Sequence, residues 1–269
     1  MIRDITLGQY YQADSVIHRM DPRTKIVGTI AFIVSLFLIK NIIGYAAAAV
    51  FLAAVILISK VPFRYMVKGM KAVVFLLLIT VVFNMFLTPG EVLVSFWKFR
   101  ITKEGLRQAV FMALRLSFLI IGSSLMTLTT TPNNLTDGLE KLMKPLKILR
   151  VPVHEIAMIM SIALRFIPIL LDETDKIMKA QLARGADFES GNLIKKAKSM
   201  VPILVPLFIS AFRRANDLAM AMEARCYRGG EHRTKMKPLR YRGRDLTAYL
   251  TLAAFVAVIV LSRRIILPF

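Results

Sequence analysis

Between Ile26 and Ile58 the chain carries a single charged residue, Lys40. An apolar run of about 30 residues is too long for one helical crossing of a bilayer, which takes about 20. Lys40-Asn41 and Gly44 interrupt it near the middle. The run therefore reads as a tight helical hairpin with its turn at Lys40-Asn41. The whole chain agrees with that reading. It is 56% apolar with a mean hydropathy of +0.59, which suits a polytopic membrane protein and not an ordinary soluble domain.

The net charge of +20 is unusual beside such apolarity. Nucleic-acid binding is the usual cause of a strongly basic balance. In a membrane chain the simpler cause is Lys and Arg in loops kept on the cytoplasmic side, and no nucleic-acid partner is expected. Arg19, Arg23 and Lys25 precede the first span and place the N-terminus in the cytoplasm. Asp21-Pro22 supplies helix-start chemistry there. MIRDITLGQYYQADS has no apolar core and does not read as a cleavable signal.

The expected spans are about 26–40, 42–59, 72–88 and 108–131, so residues 1–131 form an N-terminal membrane part. The loop 59–71 holds Lys60, Arg64, Lys68 and Lys71 without an acid and belongs inside. Thr88-Pro89-Gly90 stops the third span. Segment 90–107 is external by alternation, with Trp97 and Phe99 as interfacial anchors. Arg115 in the fourth span is a functional candidate by default, although its place near the outer end favours snorkelling.

From Pro132 to residue 245 charge of both signs is interspersed with apolar stretches at 156–171 and 201–212. Arg165, then Asp172 and Glu173, spoil the first; Pro202, Pro206 and Arg213-Arg214 spoil the second. Both fall short of a crossing. Three amphipathic helices, about 134–149, 153–185 and 192–228, fit a cytoplasmic arm with one apolar side. Pro168, Gly191, Pro202 and Pro206 are either bend points or helix ends. A last span, about 246–261 within 246–269, puts the C-terminus outside; an interfacial helix is the alternative. The fold class is an all-α membrane protein of about five transmembrane helices plus the arm.

Catalytic chemistry is not apparent. A P-loop is absent, and His18, His154 and His232 lack metal-ligand spacing. Cys226 is the one cysteine, so no internal disulfide forms. The spans show few ionisable groups and no repeated halves, unlike a secondary carrier. A stand-alone channel or carrier remains the alternative from a different class. Two features stand out. Ala183-Arg184-Gly185 and Ala224-Arg225-Cys226 each place an arginine between small residues at the end of a helical pattern. A planar guanidinium fork suits docking into a carboxylate-lined groove. Equally, a solvated cation at a helix C-terminus favours the dipole.

Several stretches resemble one family: SVIHRMDPRTK (15–25), ITKEGL (101–106), LTDGLEKLMKPLK (135–147), the block from Val151 to Phe188, Val201–Gly230 and HRTK (232–235). They are similar to the transmembrane coupling subunit of energy-coupling factor transporters, EcfT, related to the CbiQ subunits of cobalt importers. The resemblance covers nearly the whole chain. It implies an L-shaped fold in the cytoplasmic membrane, with the arm made of coupling helices. The two X-Arg-X motifs would dock two ABC-type ATPase subunits, a heterodimer, which carry the ATP and Mg; this chain would bind no cofactor and no metal and would not be an enzyme. Cys226 departs from the Gly or Ser more common at that place, which puts the local turn in question. A separate small membrane subunit, the S component, would bind a vitamin. The arm's apolar residues Leu139, Leu142, Ile159, Ile162, Ile203 and Leu207 would either contact it or pack internally. A dedicated cobalt or nickel importer is the alternative within the family.

Overall fold

The computed structural model describes residues 10–96, 99–186, 188, 192–230, 236 and 238–263. The chain divides into two compact units, one of Gly8–Leu142 with Leu239–Phe269 and one built on Met143–Pro238.

In the first unit, α1 (Pro22–Leu38) and α2 (Ile42–Ser59) form the hairpin that the apolar run predicts. Proline in the first turn of α1 removes an N–H that would lack a helical partner, and the Asp21 carboxylate accepts from the Arg23 N–H at 2.9 Å. α3 (Phe63–Leu87) starts well before the expected residue 72. Arg64, Lys68 and Lys71, expected in a loop, lie in helix instead, because Lys and Arg are good helix formers. Next come two antiparallel strands, β1 (Val92–Phe96) and β2 (Phe99–Thr102), where only a loop was expected; the stretch is rich in the β-branched and aromatic residues that favour strands. Trp97 lies outside the described residues. α4 (Lys103–Thr129) is capped by Thr102, whose Oγ1 accepts from the Gly105 N–H at 3.0 Å. α5 (Pro132–Leu142) packs on α1, and α8 (Gly243–Ser262) packs on α1 and α2.

The core of this unit joins α1, α2, α4 and α8 through Leu36, Ala48, Leu125 and Ile259. Phe51 and Phe255 stack at 4.3 Å, with Phe32 at 5.9 and 5.8 Å from them. Gly122 makes room for Phe32: a Cβ there would stand 2.7 Å from the ring.

In the second unit a short 3-10 helix (Lys144–Leu149) leads into α6 (Val153–Ala183) and α7 (Leu193–Ala224). The single helix expected over 134–149 is thus broken at Met143. Pro145 explains the break, since it has no N–H for the carbonyl four residues back and its ring clashes with that carbonyl. By contrast Pro168, Pro202 and Pro206 lie inside continuous helices and are not ends; Gly191 lies outside the described residues. α6 and α7 run antiparallel. Gln181 Nε2 donates to the Pro202 carbonyl at 3.3 Å, Arg214 Nη2 to Glu173 Oε2 at 2.6 Å, and Gly230 lies against the His154 ring. The first bond has a local cause: Pro206 cannot donate to the Pro202 carbonyl, so a side chain does.

Among the described residues α2, α4, α6 and α8 are long and apolar enough to cross a membrane. α1 has 17 residues, and the apolar segment of α3 is Val73–Phe86. α6 corrects the expectation that 156–171 falls short of crossing length. It continues for 31 residues, with a window of mean hydropathy 1.7. Asp172 and Glu173 do not end it, because they sit on the side that meets α7 or solvent without interrupting the backbone ladder.

Candidate functional site

The two arginine motifs have the same backbone geometry. Ala183 is the last residue of α6 and Arg184 is its C-cap. Gly185 follows with φ of 86°. Its N–H donates to the Leu182 carbonyl at 3.0 Å, and the Ala186 N–H to the Gln181 carbonyl at 3.0 Å. Ala224 likewise ends α7, Arg225 is the C-cap, and Cys226 takes φ of 55°. The Cys226 N–H donates to Glu223 at 2.8 Å and the Tyr227 N–H to Met222 at 3.0 Å. Both are Schellman caps, in which a left-handed residue lets two outer N–H groups satisfy the last carbonyls. Cysteine at the left-handed position therefore preserves the turn. Arg184, Arg225 and Cys226 are exposed.

Antiparallel pairing puts these caps at opposite ends of the α6–α7 pair. Arg184 follows Gln181, which bonds the Pro202 carbonyl, while Arg225 precedes Gly230, which lies against His154. α7 has 32 residues, about 48 Å at 1.5 Å per residue. The two arginines therefore cannot enter one groove.

The six apolar candidates do not share one environment. Leu139 and Leu142 stand on α5 in the first unit and are half-buried; Ile162 and Leu207 are half-buried, Ile159 is exposed, and Ile203 is 8% exposed. The outward stripe of α7 is instead Val201, Leu204, Val205, Phe208 and Phe212, each at least 50% exposed. An i, i+4 stripe beginning at Val201 was the signal in the sequence for that face.

A polar junction in the first unit escaped the sequence reading. Asp245, at 2% exposure, accepts from the Asp21 N–H and the Arg242 N–H, both at 2.8 Å. It ties the start of α8 to the start of α1. Asp21 in turn accepts from Arg23 Nε and Nη2 at 3.0 and 2.8 Å, and the guanidinium lies 3.9 Å above the Tyr241 ring. Burial pushes the Asp21 carboxyl up, but the Arg23 bonds outweigh it and hold it below its ordinary value. Lys25 Nζ donates to the Thr129 carbonyl at 2.8 Å and Tyr11 N–H to Leu128 at 2.9 Å, so the open end of α4 is satisfied. The one local signal was an acid, Asp245, in the first turn ahead of an apolar run, where it can accept from an N-cap N–H; nothing local pointed from it to Asp21.

Arg115 bonds the Tyr45 hydroxyl at 3.2 Å and the Ile39 carbonyl at 3.5 Å. It caps the end of α1 rather than standing free. Among the described residues no His, Cys, Asp or Glu cluster could hold a metal ion.

Residues 13–236 match the CbiQ family, described as cobalt transport protein. The chain is 60% identical over 265 residues to the energy-coupling factor transporter transmembrane protein EcfT of Clostridium kluyveri, covering 98% of each chain. It is 55% identical to the protein of the same name from Thermosediminibacter oceani, over 97% of this chain and 99% of that one. With the Bacillus subtilis protein of that name the identity is 44%, over 98% and 100%. The chain belongs to the CbiQ family and, within it, to the energy-coupling factor transporter transmembrane proteins, EcfT.

Proposed function

We propose that this chain is the coupling subunit of an ATP-driven vitamin importer in the cytoplasmic membrane. Arg184 and Arg225 dock two ABC-type ATPase subunits, and the α6–α7 pair carries their motion to a separate substrate-binding membrane subunit. The observation that carries the reading is the repeated Schellman cap. It presents two exposed arginines in one backbone geometry at opposite ends of one helical pair. Two like ends suit two like partners. A guanidinium offered between small residues can enter an acidic groove with both edges of its fork.

ATP and Mg belong to the ATPase subunits; this chain supplies docking and leverage. The N-terminus and the α6–α7 unit lie on the cytoplasmic side, following the Lys and Arg excess before α1 and in residues 213–244. The Val201–Phe212 stripe, with Ile159 and Leu207, forms the contact for the substrate binder, while Ile203 serves internal packing. The match described as cobalt transport protein favours a metal importer as second reading.

The test is co-purification of the tagged full chain with both ATPase subunits. The double variant Arg184→Glu/Arg225→Glu should insert in the membrane, lose both ATPases and abolish ATP-linked uptake. Undiminished assembly and transport would overturn the docking roles. Nucleotide-independent flux through this chain reconstituted alone would establish a channel or carrier instead.

A further inference from the structure

A cavity of about 300 Å³ lies within the first unit, among α1, α2, α4 and α8. Its body is apolar, walled by Phe32, Phe51, Leu52, Val55, Leu125 and Leu252. One end is not. Thr24 lines it at 5% exposure, and its Oγ1 is buried without a hydrogen-bond partner among the described residues.

A second, polar depression adjoins the first and shares Val16 and Ile58 with it. It is lined by Arg19, Lys60 and Arg244. Arg19 is already paired with Asp14. Among the described residues no carboxylate pairs with Lys60 or Arg244. An apolar slot thus lies beside a depression whose Lys60 and Arg244 no described carboxylate pairs.

We propose that these joined cavities bind one anionic phospholipid of the surrounding bilayer. One acyl chain fills the apolar slot, and the phosphate lies at Lys60 and Arg244. The dimensions suit this occupant. The slot is at the small end of the roughly 300–1,000 Å³ range of ligand pockets, enough for a chain but not for a headgroup. Basic pockets between membrane helices attract acidic headgroups by charge.

Gly28 provides a clean test because it lines the slot, and a Cβ built on it meets nothing within 4 Å. The complex containing the full chain is reconstituted in vesicles of equal phosphatidylglycerol and phosphatidylcholine. It is then re-extracted in detergent, and the retained lipids are quantified by mass spectrometry. Phosphatidylglycerol should be enriched, and Lys60→Gln and Arg244→Gln should each lower that enrichment by roughly five-fold. Gly28→Leu should displace the retained lipid at an unchanged or higher Tm. Equal retention of the two lipids, or retention unmoved by Gly28→Leu in folded protein, would overturn the proposal. Should Gly28→Leu fail to fold, the two charge variants decide: enrichment that survives both overturns it.

Discussion

Cys226 holds φ at 55°, a conformation that costs a residue with a Cβ about 1–2 kcal/mol and costs glycine almost nothing. Glycine gives back part of that gain through its freer unfolded chain. Cys226→Gly should therefore raise the unfolding free energy of the second unit by about 0.5–1 kcal/mol, with assembly retained. Gly185→Ala should lower it by about 1 kcal/mol, by the same reasoning reversed. Thermal unfolding in detergent measures both. His18 makes a different prediction. Its Nε2 donates to the Tyr11 carbonyl at 3.0 Å, and its Nδ1 shares a hydrogen bond with the Ser15 hydroxyl at 2.7 Å. Burial holds its pKa below the ordinary 6.5, helped by the charge of Lys25 and opposed by the Tyr11 bond. A lowered folded value means that the unfolded chain binds the proton more readily. The His18 contribution is then complete above the ordinary value and is lost as the pH falls through it towards the folded value. Tm followed across that window should fall on acidification, and His18→Gln should flatten the curve.

At the scale of elements, two close approaches set how helices meet. Gly122→Ala would press a methyl group into Phe32, which stacks with Phe51 and Phe255. Overpacking of this kind costs about 1–3 kcal/mol, and Gly122→Ala should lower Tm accordingly. Asp245→Ala should cost about 2–4 kcal/mol, because it strands two N–H groups, those of Asp21 and Arg242. Asp245→Asn, which keeps one acceptor, should cost less. The helices themselves were largely legible in the sequence. Proline and an aspartate cap marked α1, and the break at Lys40-Asn41 marked its hairpin with α2. The misplacements have physical reasons. A basic charge run such as 59–71 suggests a loop, yet Lys and Arg are good helix formers, and α3 begins within it. Pro145 divides a helix whose apolar spacing continues across the break, whereas Pro168 does not divide α6. In the long helix its orphaned carbonyl costs less than the packing that continuation keeps.

At the scale of the molecule, membrane class and family follow from hydropathy and a few contiguous stretches, and both were readable without coordinates. The candidate arginines were readable too, because small neighbours and helical spacing are local properties. The junction of Asp21, Arg23, Lys25, Thr129 and Asp245 was not. Its members come from chain positions more than 200 residues apart, and no local period connects them. The same holds for the outward face of α7. Spacing shows that an apolar stripe exists, but only packing against α6 tells Ile203, which turns inward, from Leu204, which does not. The paired caps have a consequence for how tightly such an arm would be held. Under the docking proposed above, an arm with one arginine at each end would act as a bivalent ligand for two ATPase subunits. Once one end is seated, the other meets its groove at a high local concentration fixed by the length of α7, and avidity can exceed either single affinity by about 10²–10⁴. Each contact can then be weak enough to let go and re-form during a cycle while the assembly as a whole stays together.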